Sequence, residues 1–342
     1  MTFSRNILGL FPLIPTLCLF LLCTPTPGIC LEKHTVTGRT MGTTYSVTVM
    51  GDKAVDKHLL KQRIDARLAR VNQSMSIFSP LSEISLFNAI PAHTPFTVSP
   101  DFAEVMEQGS RLYALTNGAW DGTIRPLVDL WGFGTKSALK SLPDPKLIKT
   151  LLTQTGFHFI EVKGNVLSKQ IDKVTLDLGS LAKGYGVDAV ARLMEESGFK
   201  AFLVEIGGEV VTRGTKPFNR EWTVGISRPE PGSSQLSLYR SIKLKDRALA
   251  TSGDYRNFVF IHDQKFSHII DPATGYPVET SVVSASVIAQ TCTFADGLAT
   301  ALMVMEPARG LALVNEQDNV ECLIVLRNKD GSFQDLSSNS FP

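Results

Sequence analysis

Apolar and polar residues alternate from Thr44 to Val49, a period of two that predicts a strand with one buried face. The period then changes, and Leu60, Ile64, Leu68 and Val71 recur at the spacing of one helical face. Helices are predicted again from Asp101 to Leu115, opened by Ser99-Pro100, and from Pro145 to Leu152. Near Asp177 a strand is expected to run through a small-residue turn into a helix, which Val187, Val190 and Met194 continue and Gly198 ends. Short apolar runs bounded by Gly, Pro, Asn or Asp then predict strands over 202–206, 222–226, 236–244, 258–262, 266–270 and 282–288, with a hairpin tip at Asp263-Gln264. Helix returns from Asp296 to Met305, another starts at Pro307, and 320–326 reads as a closing strand. Residues 332–342 are expected to fray. Strands and helices mixed without strict alternation predict an α+β fold.

The first thirty residues stand outside that pattern. Arg5 precedes an apolar run from Ile7 to Cys23 and a Thr-Pro-Thr-Pro turn, the layout of a secretory leader. Pro12, Pro15 and the lack of a following basic cluster argue against an uncleaved anchor. Gly28-Ile29-Cys30 offers a small-x-small cleavage site, and lipidation at Cys23 or Cys30 is the alternative, although neither follows a small residue. The expected organisation is a signal peptide or lipoprotein leader over 1–30, one domain over 31–331 and a tail over 332–342. An exported, periplasmic protein follows, lipid-anchored at the inner membrane if a leader cysteine is modified.

Charge narrows the function classes. The 34 basic and 33 acidic residues nearly cancel, and no stretch gathers Lys and Arg with interleaved aromatics, so a nucleic-acid partner is excluded. Beyond the leader only Cys292 and Cys322 remain. They either pair, which would stabilise the fold by roughly 3–4 kcal/mol, or stay free as small buried hydrophobes.

Candidate chemistry concentrates in two places. Asp177-Leu178-Gly179-Ser180-Leu181-Ala182-Lys183-Gly184-Tyr185 puts glycines, a helix N-terminus and a lysine together, which suits a phosphate. Far down the chain Asp296 and Thr300 stand one helical turn apart and offer hard oxygens. Phosphate with oxygen ligands suggests Mg²⁺.

These segments belong to an ordered set: Met41-Gly42-Thr43-Thr44-Tyr45, Ser82-Glu83-Ile84-Ser85, Gly118-Ala119-Trp120-Asp121 with Leu130-Trp131-Gly132-Phe133-Gly134, the run from Asp177, Ala250-Thr251-Ser252-Gly253, the run from Ser267 to Gly275, and Ala295-Asp296-Gly297. In this the chain resembles the ApbE family of FAD:protein FMN transferases over nearly its whole length after the leader. The resemblance implies a T-fold-like architecture around a flavin cleft. It also implies an Mg²⁺-dependent enzyme that takes FAD as substrate, joins FMN to a Thr or Ser hydroxyl of an acceptor protein and releases AMP. The acceptors it implies are subunits of membrane redox pumps.

The resemblance also implies roles. Asp296 and Thr300 would hold the metal, with the backbone carbonyl of Ser180 completing the site. Some members carry a second carboxylate where this chain has Ala299. Lys183 and Asp177 would lie at the nucleotide, and Met41, Phe78, Ala119, Trp120, Asp121 and Ile270 would line the flavin. His268 is the expected general base, because imidazole titrates near neutral pH. Arg125 has no role in this reading. Two alternatives use the same residues: an FAD pyrophosphatase with water as nucleophile, and a non-catalytic flavin-binding lipoprotein.

Overall fold

The computed structural model describes residues 1–2, 31–51, 54–134, 141–230, 237–255, 258–262 and 264–342. The leader residues Arg5 to Cys30 lie outside the described residues, as does Asp263 of the expected hairpin tip. All elements fall within one compact unit, Leu31–Pro342. No helix among the described residues is long and apolar enough to cross a membrane.

The chain begins with β1 (Glu32–Thr40) and β2 (Thr43–Gly51), then α1 (Lys57–Met75), α2 (Glu83–Ala89), β3 (Phe96–Thr97), α3 (Pro100–Leu115), α4 (Arg125–Leu130) and α5 (Pro145–Leu152). It continues through β4 (Ile160–Lys163), β5 (Val166–Lys169), α6 (Gly179–Glu196), β6 (Phe202–Ile206), β7 (Glu209–Arg213), β8 (Trp222–Ser227) and β9 (Leu238–Leu244). The last third holds β10 (Ala248–Gly253), β11 (Phe258–Ile261), β12 (Gln264–Ser267), β13 (Val282–Ala289), α7 (Cys292–Val304), α8 (Pro307–Asn315), β14 (Glu321–Arg327) and β15 (Phe333–Ser337).

Eight strands form the main sheet in the order β1-β2-β6-β7-β10-β13-β14-β15, and every pairing in it is antiparallel. The α+β expectation holds. Strand alternation divides the core between the two faces. Val47, Val204, Val211, Ala250, Ala285 and Val287 meet the apolar faces of α1, α3, α6 and α7. Val210, Leu249, Ile288, Leu323 and Val325 meet Val224, Ile226, Ile242 and Leu244 of the β8–β9 ribbon. With both faces covered, all eight residues of β13 are buried.

Three expectations are corrected. Residues 332–342 do not simply fray: Phe333–Ser337 pairs with β14, because the edge of that strand offers unpaired backbone groups. The segment leading to Asp177 is no strand; the Asp177 N–H donates to the Gly122 carbonyl (2.7 Å) instead of to a ladder. The strand predicted over 266–270 ends at Ser267. Cys292 and Cys322 are both free and buried, which settles the open question of their pairing.

α7 starts at Cys292, one turn before the predicted Asp296, because a residue of another helix caps it. The buried Asp188 carboxylate of α6 accepts from the backbone N–H groups of Cys292 (2.9 Å) and Thr293 (2.8 Å) and from the Thr293 hydroxyl (2.6 Å). Burial pushes the Asp188 carboxyl upward while those donors hold it down. Asp188→Ala strands these donors in the core and is expected to destabilise the protein by about 3 kcal/mol, with Asp188→Asn intermediate. Urea unfolding midpoints check this, and an unchanged midpoint for the alanine variant would refute the capping role.

Candidate active site

The main sheet, α6 and α7 deliver their ends to one cavity of about 500 Å³. Met41 and Thr43 reach it from the β1–β2 turn, Gly207 and Glu209 from the β6–β7 turn, and Thr251, Ser252 and Gly253 from the end of β10. Gly179, Ser180 and Lys183 line it from the first turn and a half of α6, whose N-terminal N–H groups favour an anion. Asp296 and Thr300 come from one face of α7.

At the floor two buried carboxylates meet a half-buried ammonium. Lys183 Nζ donates to Glu209 Oε1 at 2.5 Å and lies 3.7 Å from Asp296 Oδ1, while Asp296 Oδ2 accepts from the Gly184 N–H at 3.0 Å. Burial works against the Lys183 charge, but Asp296 and Glu209 outweigh it and hold the ammonium above its ordinary value. Burial, with Glu209 adding and Lys183 opposing, pushes the Asp296 carboxyl up to about 7. Carboxylates outnumber the ammonium here, and Glu209 Oε2 is buried without a hydrogen-bond partner. Such an under-compensated cluster suits a divalent cation.

The remaining donors are hard oxygens. The Thr300 hydroxyl lies 3.1 Å from the Ser252 hydroxyl and donates to the Asp296 carbonyl (3.2 Å). The Gly184 N–H, one turn along α6 from Ser180, donates to Asp296 Oδ2, and a backbone carbonyl such as that of Ser180 carries a second lone pair for a cation. The donor set is therefore of the hard-oxygen kind that fits a divalent cation such as Mg²⁺. Among the described residues no group of three His, Cys, Asp or Glu forms a self-sufficient metal cage.

Of the residues expected at the site, Met41, Ala119, Trp120, Asp121, Asp177, Ser180, Lys183, His268, Ile270, Asp296 and Thr300 all line the cavity. Phe78 does not: it is 76% exposed on the turn after α1 and lines no part of it. Two others arrive in a different capacity. Trp120 is buried against Phe157 (ring centroids 5.5 Å) with its Nε1 donating to Ser180 Oγ (2.9 Å), so it serves as a wall that fixes α6 rather than as an open stacking face. The Asp121 carboxylate is consumed by the Thr123 N–H (2.8 Å), the Thr123 hydroxyl (2.6 Å) and the Phe157 N–H (3.2 Å). Asp177 accepts from the Gly179 N–H (2.9 Å) at the start of α6, and burial pushes its carboxyl upward. Ile270 lies in the apolar cluster with Leu127, Trp131 and Phe266. His268 sits just past β12, half-buried, with its ring edge-on to Phe133 (centroids 6.3 Å). Arg125 now has a role: it pairs with Asp129 (3.6 Å) one turn along α4.

Sequence reading missed Glu209. It provides the second carboxylate that Ala299 does not, from a strand rather than from α7. The signal was there in Gly207-Gly208-Glu209, where two glycines mark a tight hairpin.

The profile of the ApbE family matches residues 41–324. The chain is 39% identical over 311 residues to an FAD:protein FMN transferase of Vibrio cholerae serotype O1, covering 91% of this chain and 92% of that one. It is 36% identical to an FAD:protein FMN transferase of Haemophilus influenzae, covering 90% of each. Its structure is similar to that of the flavin transferase ApbE from Vibrio cholerae, with a TM-score of 0.82, 38% identity, and 91% and 98% of the two chains covered.

Proposed function

This chain belongs to the ApbE family, and on that premise we propose that it is an FAD:protein FMN transferase. The hydroxyl oxygen of an acceptor Thr or Ser bonds to the FMN-side phosphorus of FAD, the bond to the AMP-side oxygen breaks, and the hydroxyl proton passes to a base. The observation that carries this reading is the junction, in one cavity, of a helix N-terminus, a cluster with excess carboxylate and an apolar wall. Phosphoryl transfer asks for little more than charge neutralisation and alignment.

Asp296, Thr300 and the Ser180 carbonyl would hold Mg²⁺, with Glu209 close by, and the ion would supply charge neutralisation on the diphosphate. Lys183 keeps its ammonium at the same place. Met41, Ala119, Trp120 and Ile270 exclude water from the flavin end. His268 takes the hydroxyl proton. We place the protein outside the cytoplasm, as its leader suggests, and its acceptor among membrane redox subunits with a Ser/Thr-Gly-Ala-Thr-like segment. A lipidated leader cysteine would anchor it there.

The direct test incubates the protein with FAD, Mg²⁺ and such an acceptor, and follows AMP release and an FMN-sized mass gain. Equal AMP and FMN release with and without acceptor would replace transfer by hydrolysis. His268→Ala separates binding from chemistry. Transfer is expected to fall by about a hundredfold while FAD affinity, read by flavin fluorescence, changes little. Parallel loss of both would make His268 a binding or structural residue.

A further inference from the structure

A second cavity, of about 470 Å³, lies on the β8–β9 side and is lined by Lys216, Arg220, Lys243 and Lys245 with Glu221 as the single acid. These residues come from a loop and from β9 and its end, and the fold alone brings them together. Among the described residues none of the four bases is ion-paired. Beside them the backbone turns at Pro217-Phe218-Asn219, closed by the Lys216 N–H on the Arg220 carbonyl (2.8 Å) and the Arg220 N–H on the Lys216 carbonyl (3.3 Å). Phe218 occupies the tip, 93% exposed, with φ 63°. A bulky side chain at positive φ is strained by roughly 1–3 kcal/mol, and here it buries nothing in return.

The same end of the molecule holds the start of β1. Lys33 pairs in register with Met50, Met50 packs against Trp222, and Lys216 Nζ stands 5.8 Å over the Trp222 ring. The active cavity lies at the other end of these strands. Met41 follows the far end of β1, roughly 25 Å from Glu32 at about 3.3 Å per residue.

We propose that this face docks on an anionic bilayer, with Phe218 inserting between headgroups and Lys216, Arg220, Lys243 and Lys245 pairing with lipid phosphates. An exposed aromatic ringed by cations is the chemistry of an interfacial anchor, in which the apolar tip and the charges act together. A soluble polyanion without an apolar surface would use the cations but leave the Phe218 ring in water. Docking in this pose holds the active cavity clear of the headgroups. The inference stands whether or not that cavity transfers flavin.

The test uses the chain from Leu31, which contains every described element of the fold. Flotation is measured with vesicles of phosphatidylcholine alone and of phosphatidylcholine mixed with phosphatidylglycerol. The protein is expected to float only with the anionic vesicles and to be released by high salt. Lys216→Gln with Arg220→Gln is expected to weaken partitioning about thirtyfold, and Phe218→Ser about tenfold, while Phe218→Trp retains it. Melting temperature and AMP release should not change in any variant. No flotation with anionic vesicles, equal flotation with neutral ones, or unaltered flotation of both weakened variants would each overturn the proposal. Retention on heparin without flotation would overturn it too, assigning the patch to a soluble polyanion.

Discussion

Asp296→Ala is expected to lower flavin transfer by at least about a hundredfold at saturating FAD and Mg²⁺. The carboxylate is buried, touches the Gly184 N–H and faces Lys183, and it is the acidic member of the α7 pair. Without it the floor of the cavity holds one ammonium and one carboxylate, and the surplus negative charge that suits a cation is gone. Asp296→Asn keeps the volume and the oxygen that accepts from Gly184, so its fold should survive while its charge does not. Both variants should therefore fail in transfer, and only the alanine should lose stability as well. Near-normal AMP release and acceptor mass gain in the asparagine variant would sink the metal assignment, whatever the alanine does.

Gly184→Ala should damage both stability and chemistry. A Cβ at this position would stand 2.4 Å from the Cys292 carbonyl oxygen, 2.7 Å from its carbon and 2.9 Å from Asp296 Cβ. Two of those atoms are backbone, held by the Asp188 cap, so no rotamer change can relieve the clash. α6 and α7 must separate instead. Overpacking of this kind costs about 1–3 kcal/mol, and a displacement near 1 Å between Lys183 and Asp296 lowers turnover by about a hundredfold. The checks are the melting temperature and the rate of AMP release. Wild-type values for both would show that the helices pass each other with more room than the structure allows.

Much of this architecture was legible in the chain. α1, α3, α5 and β13 follow from apolar periodicity, because each buries one face or both against something large, and burial selects for period. Ser99 and Gly198 mark helix ends because the backbone there needs a side-chain acceptor or a positive φ. β1, β7 and β10 were not legible. β1 is a polar edge strand, while β7 and β10 are short and follow turns whose length only pairing reveals. β15 was hidden for the same reason, since a half-exposed edge strand is ordered by its neighbour's hydrogen bonds rather than by its own side chains.

The site divides along the same line. Asp296 and Thr300 were readable as a pair because helical spacing alone puts them on one face, and the Gly-rich start of α6 was readable because backbone N–H groups need no partner residue to attract an anion. Family resemblance added His268 and the flavin wall. It also offered Phe78, which the fold leaves in solvent. What the sequence by itself determined was therefore the local geometry: periods, caps and residues within one helical turn of each other. What only the tertiary structure decided was which distant charges share a buried space. Glu209 joins Asp296 across 87 residues, Asp188 caps a helix 104 residues away, and Lys216 meets Lys243 on a face that no basic stretch announces. Electrostatic and hydrogen-bond energies depend on distance through space, and sequence separation fixes that distance only inside a single regular element.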